Sequence, residues 1–64
     1  MKLKDLKDVI TDDSTVYLQT KSQKEPPLYY SSWRACKKDL KPDAWKEKVR
    51  LQSYGGIMIV FEDL

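Results

Sequence analysis

Aromatic and basic side chains lie close together in the stretch PPLYYSSWRACKK, in the middle of the chain. The planar rings of Tyr29, Tyr30 and Trp33 could each stack on a nucleobase, which contributes roughly 1–3 kcal/mol per base. Arg34 and Lys37 follow closely, and their positive charge can pair with phosphate. These residue types therefore suit a ligand that carries both a base and a phosphate.

The same stretch is also typical of a strand that runs into a helix. Trp33, Cys36 and Leu40 recur at i, i+3 and i+7, which is one apolar stripe of a helix. Ser31 or Ser32 could cap that helix. In this second interpretation Trp33 and Cys36 belong to the core, and the basic residues around them form the solvated side of an amphipathic helix. The sequence leaves both interpretations open.

Catalytic and metal-binding chemistry has little support in the composition. The chain contains no histidine and one cysteine. A serine or cysteine nucleophile therefore lacks its usual imidazole base, and a zinc or iron site lacks a ligand set. The carboxylate pairs Asp12-Asp13 and Glu62-Asp63 are expected to be solvated, and Gly55-Gly56 is expected to form a turn instead of a phosphate cradle. We expect no enzymatic activity, no metal and no cofactor.

Hydrophobic spacing predicts six elements in the order helix, strand, strand, helix, strand, strand. The first helix has an apolar stripe formed by Leu3, Leu6, Val9 and Ile10. Alternating strands follow in STVYLQT and LYYSSW, and a second helix begins near Trp33 and ends before Pro42, which can start a further turn. The runs VRLQSY and IMIVFE, joined by Gly55-Gly56, predict a tight hairpin with a two-residue turn. This order predicts a single α+β domain over residues 1–64, with a small antiparallel sheet of three to four strands and helices on one face.

The second face of that sheet is predicted to be unusually apolar. If Ile57, Ile59 and Phe61 face the helices, the intervening residues of the last strand point the other way. The side chains expected on this second face are Tyr17, Tyr29, Tyr54, Met58 and Val60. A monomer of 64 residues should not show so much apolar surface to water. We therefore expect a homo-oligomer, with a host protein or a flat ligand platform as the alternatives.

The charge balance argues against a dedicated nucleic-acid binder. Twelve basic and ten acidic residues give a net charge of +2, whereas such binders usually carry a larger basic excess. A small DNA-binding regulator is therefore the third choice. The longest apolar run, IMIVF, is far too short to span a bilayer, and the charged N-terminus is unlike a secretory signal. We expect a cytoplasmic protein without a membrane segment.

The opening of the chain resembles a known group of proteins. Lys4-Asp5-Leu6, Val9-Ile10 and the run from Asp12 to Leu18 are similar to the opening of short orphan proteins from phages and prophages of Gram-positive bacteria, which often end in a strand hairpin. The resemblance implies an accessory viral protein that acts on host machinery by binding. Roles in that group include inhibition of CRISPR nucleases and sequestration of nucleotide immune signals. The resemblance assigns no functional residue.

Two functions are consistent with these observations. The first is a non-enzymatic phage accessory protein, with an anti-defence or host-takeover role, that sequesters a nucleotide-type ligand as a homo-oligomer. The alternative is a protein–protein inhibitor of a host factor such as a CRISPR nuclease or a transcription component, for which Tyr, Trp and Arg are the usual anchors. The residues predicted to bind ligand or partner are Tyr29, Tyr30, Trp33, Arg34, Lys37, Tyr54 and Met58.

Overall fold

The computed structural model describes residues 1–63, which contain seven short secondary-structure elements. In chain order they are a first 3-10 helix (Leu3–Leu6), β1 (Val16–Thr20), β2 (Leu28–Tyr30), α1 (Trp33–Asp39), a second 3-10 helix (Pro42–Lys46), β3 (Val49–Ser53) and β4 (Ile57–Phe61). One sheet and one α-helix within these residues confirm the predicted α+β class. None of the helices over residues 1–63 has the length and apolar character needed to cross a membrane.

The sheet has the strand order β2-β1-β4-β3 and is mixed. The pairs β1–β2 and β3–β4 are antiparallel as predicted. The central pair is parallel, with Val16 opposite Ile57 and Thr20 opposite Phe61. In this respect the structure differs from the sequence analysis, which predicts an antiparallel sheet. The apolar run of β4 explains why this strand lies in the middle of the sheet, beside β1, because a strand with apolar residues on both faces is buried on both faces.

The helical elements of residues 1–63 pack on one face of the sheet, as predicted. The buried side chains that form the core there are Leu3, Leu6, Ile10, Val16, Trp33, Cys36, Val49, Ile59 and Phe61. Trp45 of the second 3-10 helix is partly buried and packs against this cluster. We call this side of the sheet the core face and the opposite side the outer face.

The N-terminal segment is a 3-10 helix followed by turns, instead of the predicted α-helix. Leu3, Leu6 and Ile10 point into the core, whereas Val9 is 71% exposed. The N–H groups of Val9 and Ile10 both reach the carbonyl of Leu6, at 3.1 and 3.2 Å. A helix this short gains little from its own hydrogen bonds, so tertiary packing of the leucines decides the local geometry.

α1 begins at the predicted residue. Ser32 is its N-cap, and Ser32 Oγ accepts a hydrogen bond from the N–H of Ala35 at 3.1 Å. The backbone N–H of Arg34 donates to the carbonyl of Asp12 at 3.1 Å, which ties the start of the helix to the turn before β1. Pro42 begins the second 3-10 helix, also as predicted.

The β3–β4 hairpin forms around the predicted glycine pair. Strand pairing ends at Ser53 and Ile57, so the connection has three residues, one more than expected. Gly55 has a φ of 67°, which favours glycine. A Cβ at Gly56 would lie 3.0 Å from the backbone oxygen of Thr15, so the turn packs closely against the start of β1.

Candidate functional site

The seven residues predicted to bind a ligand or partner lie in three separate places. They are Tyr30 and Trp33 on the core face, Arg34 and Lys37 on α1, and Tyr29, Tyr54 and Met58 on the outer face. Lys37 Nζ lies 5.9 Å from the centroid of the buried Trp33 ring. The exposed aromatic residues Tyr29 and Tyr54, however, are not brought together with Arg34 and Lys37 as one site.

Trp33 and Tyr30 fill the space between α1 and the sheet. Trp33 is fully buried, its ring packs edge-on against Trp45 with centroids 6.1 Å apart, and its Nε1–H donates to the carbonyl of Lys7 at 3.3 Å. Tyr30 is partly buried against the same cluster. Burial, helped by the nearby Asp39 carboxylate, raises the pKa of the Tyr30 hydroxyl. Trp33 has no ring face free for stacking, in line with the core interpretation.

The two basic residues share one carboxylate on the turn before β1. Lys37 Nζ donates to Asp12 Oδ1 at 2.8 Å, and Arg34 Nε lies 3.8 Å from Asp12 Oδ2. The hydrogen bond from Lys37 is the largest cause that lowers the pKa of Asp12, and the charges of both bases add to it. Because α1 packs on the core face, these charges lie across the sheet from Tyr29.

The outer face carries a cluster of three tyrosine rings. Tyr17 of β1 lies opposite Tyr29 of β2 on one side and Met58 of β4 on the other. The ring centroid of Tyr17 is 5.5 Å from that of Tyr29 and 5.0 Å from that of Tyr54, the second pair edge-to-face. Tyr29 is 60% exposed and Tyr54 is 49% exposed. We call Tyr17, Tyr29 and Tyr54 the tyrosine cluster.

Met58 and Val60 lie beneath this surface. Their exposed fractions are 3% and 0%, so the expectation that they form an exposed apolar patch is wrong. Both belong to the central strand β4, where the neighbouring strands place long side chains on either side. The flanking residues are Tyr17 and Gln52 for Met58, and Gln19 and Arg50 for Val60. What the outer face shows to water is therefore mainly aromatic and polar.

Polar side chains border the tyrosine cluster. Arg50 Nη1 donates to Gln52 Oε1 at 3.3 Å, and Gln19 Nε2 donates to the carbonyl of Glu25 at 2.8 Å. The strand positions on this face include no acidic residue, so its charge is weakly positive. Arg50, Gln52 and Tyr17 were not among the predicted binding residues, although the alternation in VRLQS and VYLQT places all three on this face.

A concave surface lies on the core face beside β2. A groove of about 520 Å³ is lined by Leu18, Pro26, Leu28 and Phe61, among others. Leu28 is 59% exposed. Of the two β2 residues on this face, only Tyr30 therefore packs against the core.

Cys36 is part of the core. Its side chain is fully buried, and burial raises the pKa of the thiol to about 11. The reactive thiolate is therefore scarce at neutral pH. Within residues 1–63, no group of three His, Cys, Asp or Glu side chains is placed to hold a metal ion.

Comparison with known proteins supplies no relative from which a function could be transferred. No family model, no curated protein and no solved structure matches the chain. A proposal for the function of this protein therefore has to be argued mainly from the geometry of the outer face.

Proposed function

We propose that the protein is a non-enzymatic accessory binding protein, of the phage kind that the resemblance implies, and that it docks its outer face onto a host protein. The tyrosine cluster is the observation that carries this proposal. Two of its rings are about half exposed or more, at 49% and 60%, on a face that none of the described helices covers.

The tyrosine cluster has the properties of an interface anchor. Tyrosine offers a large apolar ring with a polar hydroxyl and only two side-chain torsions to fix, so it binds at a small entropic cost. The contacts of Tyr17 with Tyr29 and Tyr54 hold the rings in place before a partner arrives. Arg50 and Gln52 provide a polar border, as is usual around the central anchors of an interface.

Nucleotide sequestration is the second candidate. The tyrosine rings could stack on bases, and Arg50 lies on the same face as a partner for phosphate. Two observations count against a nucleotide site on the outer face. Arg34 and Lys37 lie across the sheet, where they cannot contact a phosphate on this face. Small-molecule sites are also normally concave, whereas the outer face is formed by the strands of a sheet. The arrangement therefore favours a protein partner.

A pair of adjacent substitutions tests the proposal. Tyr29→Ala removes an outer-face ring, whereas Leu28→Ala removes a side chain of nearly equal exposure, 59% against 60%, on the opposite face. We expect the wild type and Leu28→Ala to retain one host protein at a fixed ratio from a Gram-positive lysate. Tyr29→Ala should bind that purified protein at least about tenfold more weakly, because tenfold corresponds to about 1.4 kcal/mol and truncation of an anchor residue costs about 2 kcal/mol or more.

Circular dichroism of both variants establishes that they are folded. Equal binding by Tyr29→Ala and the wild type, or no partner at a fixed ratio, would contradict docking through this face. Calorimetry with a panel of cyclic and linear nucleotides provides the second arm. Binding heat that Tyr29→Ala loses would favour sequestration over the protein partner.

A further inference from the structure

The two edges of the sheet differ in their protection against another strand. β2, at one edge, has three residues and follows Pro26 and Pro27. β3, at the other edge, has five residues and contains neither proline nor lysine. Short length, prolines and lysines are the usual means of keeping strands from pairing edge to edge. β3 is therefore the less protected edge.

The hydrogen bonds around β3 show which of its backbone groups point outward. The N–H of Glu62 donates to the carbonyl of Lys48 at 2.9 Å, and the N–H of Tyr54 donates to the carbonyl of Gly56 at 3.2 Å. Because such bonds alternate along an antiparallel pair, the even-numbered residues of β3 bond to β4 and the odd-numbered residues point away. The outward residues are Val49, Leu51 and Ser53.

Part of this edge is already covered. The N–H of Val49 donates to the carbonyl of Met1 at 2.8 Å. In the backbone hydrogen bonds of residues 1–63, the outward N–H and C=O groups of Leu51 and Ser53 have no partner. The open groups of Leu51 and Ser53 are therefore two donors and two acceptors, on either side of Gln52, and the outward C=O of Val49 is a third acceptor without a partner in these bonds.

We propose that this open edge pairs with the same edge of a second copy of the chain, which joins two four-stranded sheets into one. The pairing is antiparallel, with a two-fold axis at Gln52. Leu51 of each copy then exchanges both backbone hydrogen bonds with Ser53 of the other. This register uses the outward N–H and C=O groups of Leu51 and Ser53 in both copies, and it stops short of Val49, whose N–H donates to Met1.

The side chains of β3 suit this register. Gln52 meets Gln52 of the second copy, and the two amides can hydrogen-bond to each other. Arg50 lies opposite Tyr54 of the second copy on the outer face, where the guanidinium can contact the ring. Leu51 is 43% exposed in the single chain and gains cover from the second copy. The register places no like charges directly opposite each other.

The joined sheet would also make the two outer faces continuous. The inference does not rest on the proposed function, because Tyr29 lies on β2 at the far edge. Two five-residue strands make an interface smaller than the roughly 1,200–2,000 Å² typical of stable complexes. We therefore expect a dimer that forms with rising concentration.

Cross-linking at the two-fold axis tests the register. Opposed residues that do not bond to each other across an antiparallel pair have Cα atoms about 4.5 Å apart, which is within the range of a disulfide. Gln52→Cys should give a covalent dimer under mild oxidation at least about tenfold faster than Tyr29→Cys, the matched outer-face control. The native Cys36 is buried and stays unreacted in both. Faster cross-linking of Tyr29→Cys would instead show that the copies meet face to face, and would overturn the proposal.

Loss of one backbone donor tests the hydrogen bonds. Ser53→Pro removes an N–H that points away from β4, whereas Ser53→Thr keeps it. Sedimentation across a dilution series should show a monomer–dimer equilibrium for the wild type and for Ser53→Thr. Ser53→Pro should remain monomeric at a tenfold higher concentration with an unchanged circular dichroism spectrum. A wild type that stays monomeric throughout, or a Ser53→Pro variant that dimerises equally well, would refute the pairing.

Discussion

Ser32 supplies the side-chain cap of α1, and its replacement by alanine removes a single hydrogen bond from the start of the helix. The N–H of Arg34 bonds to Asp12, and that of Cys36 bonds to the carbonyl of Ser32. The N–H of Ala35 bonds to Ser32 Oγ at 3.1 Å. Ser32→Ala therefore leaves the partly buried N–H of Ala35 without its partner and leaves the neighbouring bonds in place.

The expected loss is about 1 kcal/mol of unfolding free energy, within the roughly 0.5–2 kcal/mol found for such caps. Proteins are stable by roughly 0.05–0.15 kcal/mol per residue, so a chain of 64 residues has about 3–10 kcal/mol in total. For a domain of this size, a loss of about 1 kcal/mol lowers Tm by roughly 4–8 °C.

Thermal and urea unfolding, followed by circular dichroism, measure this loss. Ser31→Ala is the matched control, since Ser31 is the same residue type, is exposed and precedes the cap. It should change the unfolding free energy by less than about 0.5 kcal/mol. Ser32→Asp should retain most of the stability, because aspartate also caps well. Equal losses for Ser31→Ala and Ser32→Ala would refute the capping argument.

Two titrating groups give predictions of opposite sign. The hydrogen bond from Lys37 is the main reason why the folded-state pKa of Asp12 lies below its ordinary 3.8. Asp12 therefore stabilises the folded protein above pH 3.8, and this stabilisation is lost as the pH falls through the lowered pKa. Urea midpoints measured between about pH 2 and about pH 7 should therefore show the wild type losing its stability advantage over Asp12→Asn in acid. A difference that stays constant with pH would contradict this. The folded-state pKa of Cys36 is raised from 9.0 to about 11. Its neutral thiol therefore stabilises the folded protein fully below pH 9.0, and this stabilisation is lost as the pH rises toward 11. Over that window the wild type should lose up to about 2 kcal/mol relative to Cys36→Ala, and parallel profiles would argue against a buried thiol.

Local signals in the sequence located most of the elements. The glycine pair between two alternating runs predicts the β3–β4 hairpin, because a tight turn needs positive φ and Gly55 adopts it. Ser32 and Pro42 mark the starts of two helical segments because their preferences are local. The N-terminal stripe predicted burial of Leu3 and Leu6 but not the 3-10 geometry, which depends on packing.

The candidate site was predictable only in part, because alternation gives the face of a side chain and not its neighbours. The spacing of Trp33 and Cys36 identified one apolar stripe. It could not show that Lys37 would reach Asp12, a residue 25 positions away. The exposure of Met58 was also mispredicted, since the cover over a central strand depends on which strands lie beside it.

The sequence by itself determined the α+β class, the positions of the hairpin and of α1, and the opposite directions of Tyr29 and Tyr30. These properties follow from periodicity, capping and turn preferences, which act over a few residues. The tertiary structure alone decided the parallel pairing of β1 with β4, the separation of the basic residues from the tyrosine cluster, and the open edge of β3. These features depend on contacts between distant segments, and the free energy of packing selects among arrangements that local preferences leave equally possible.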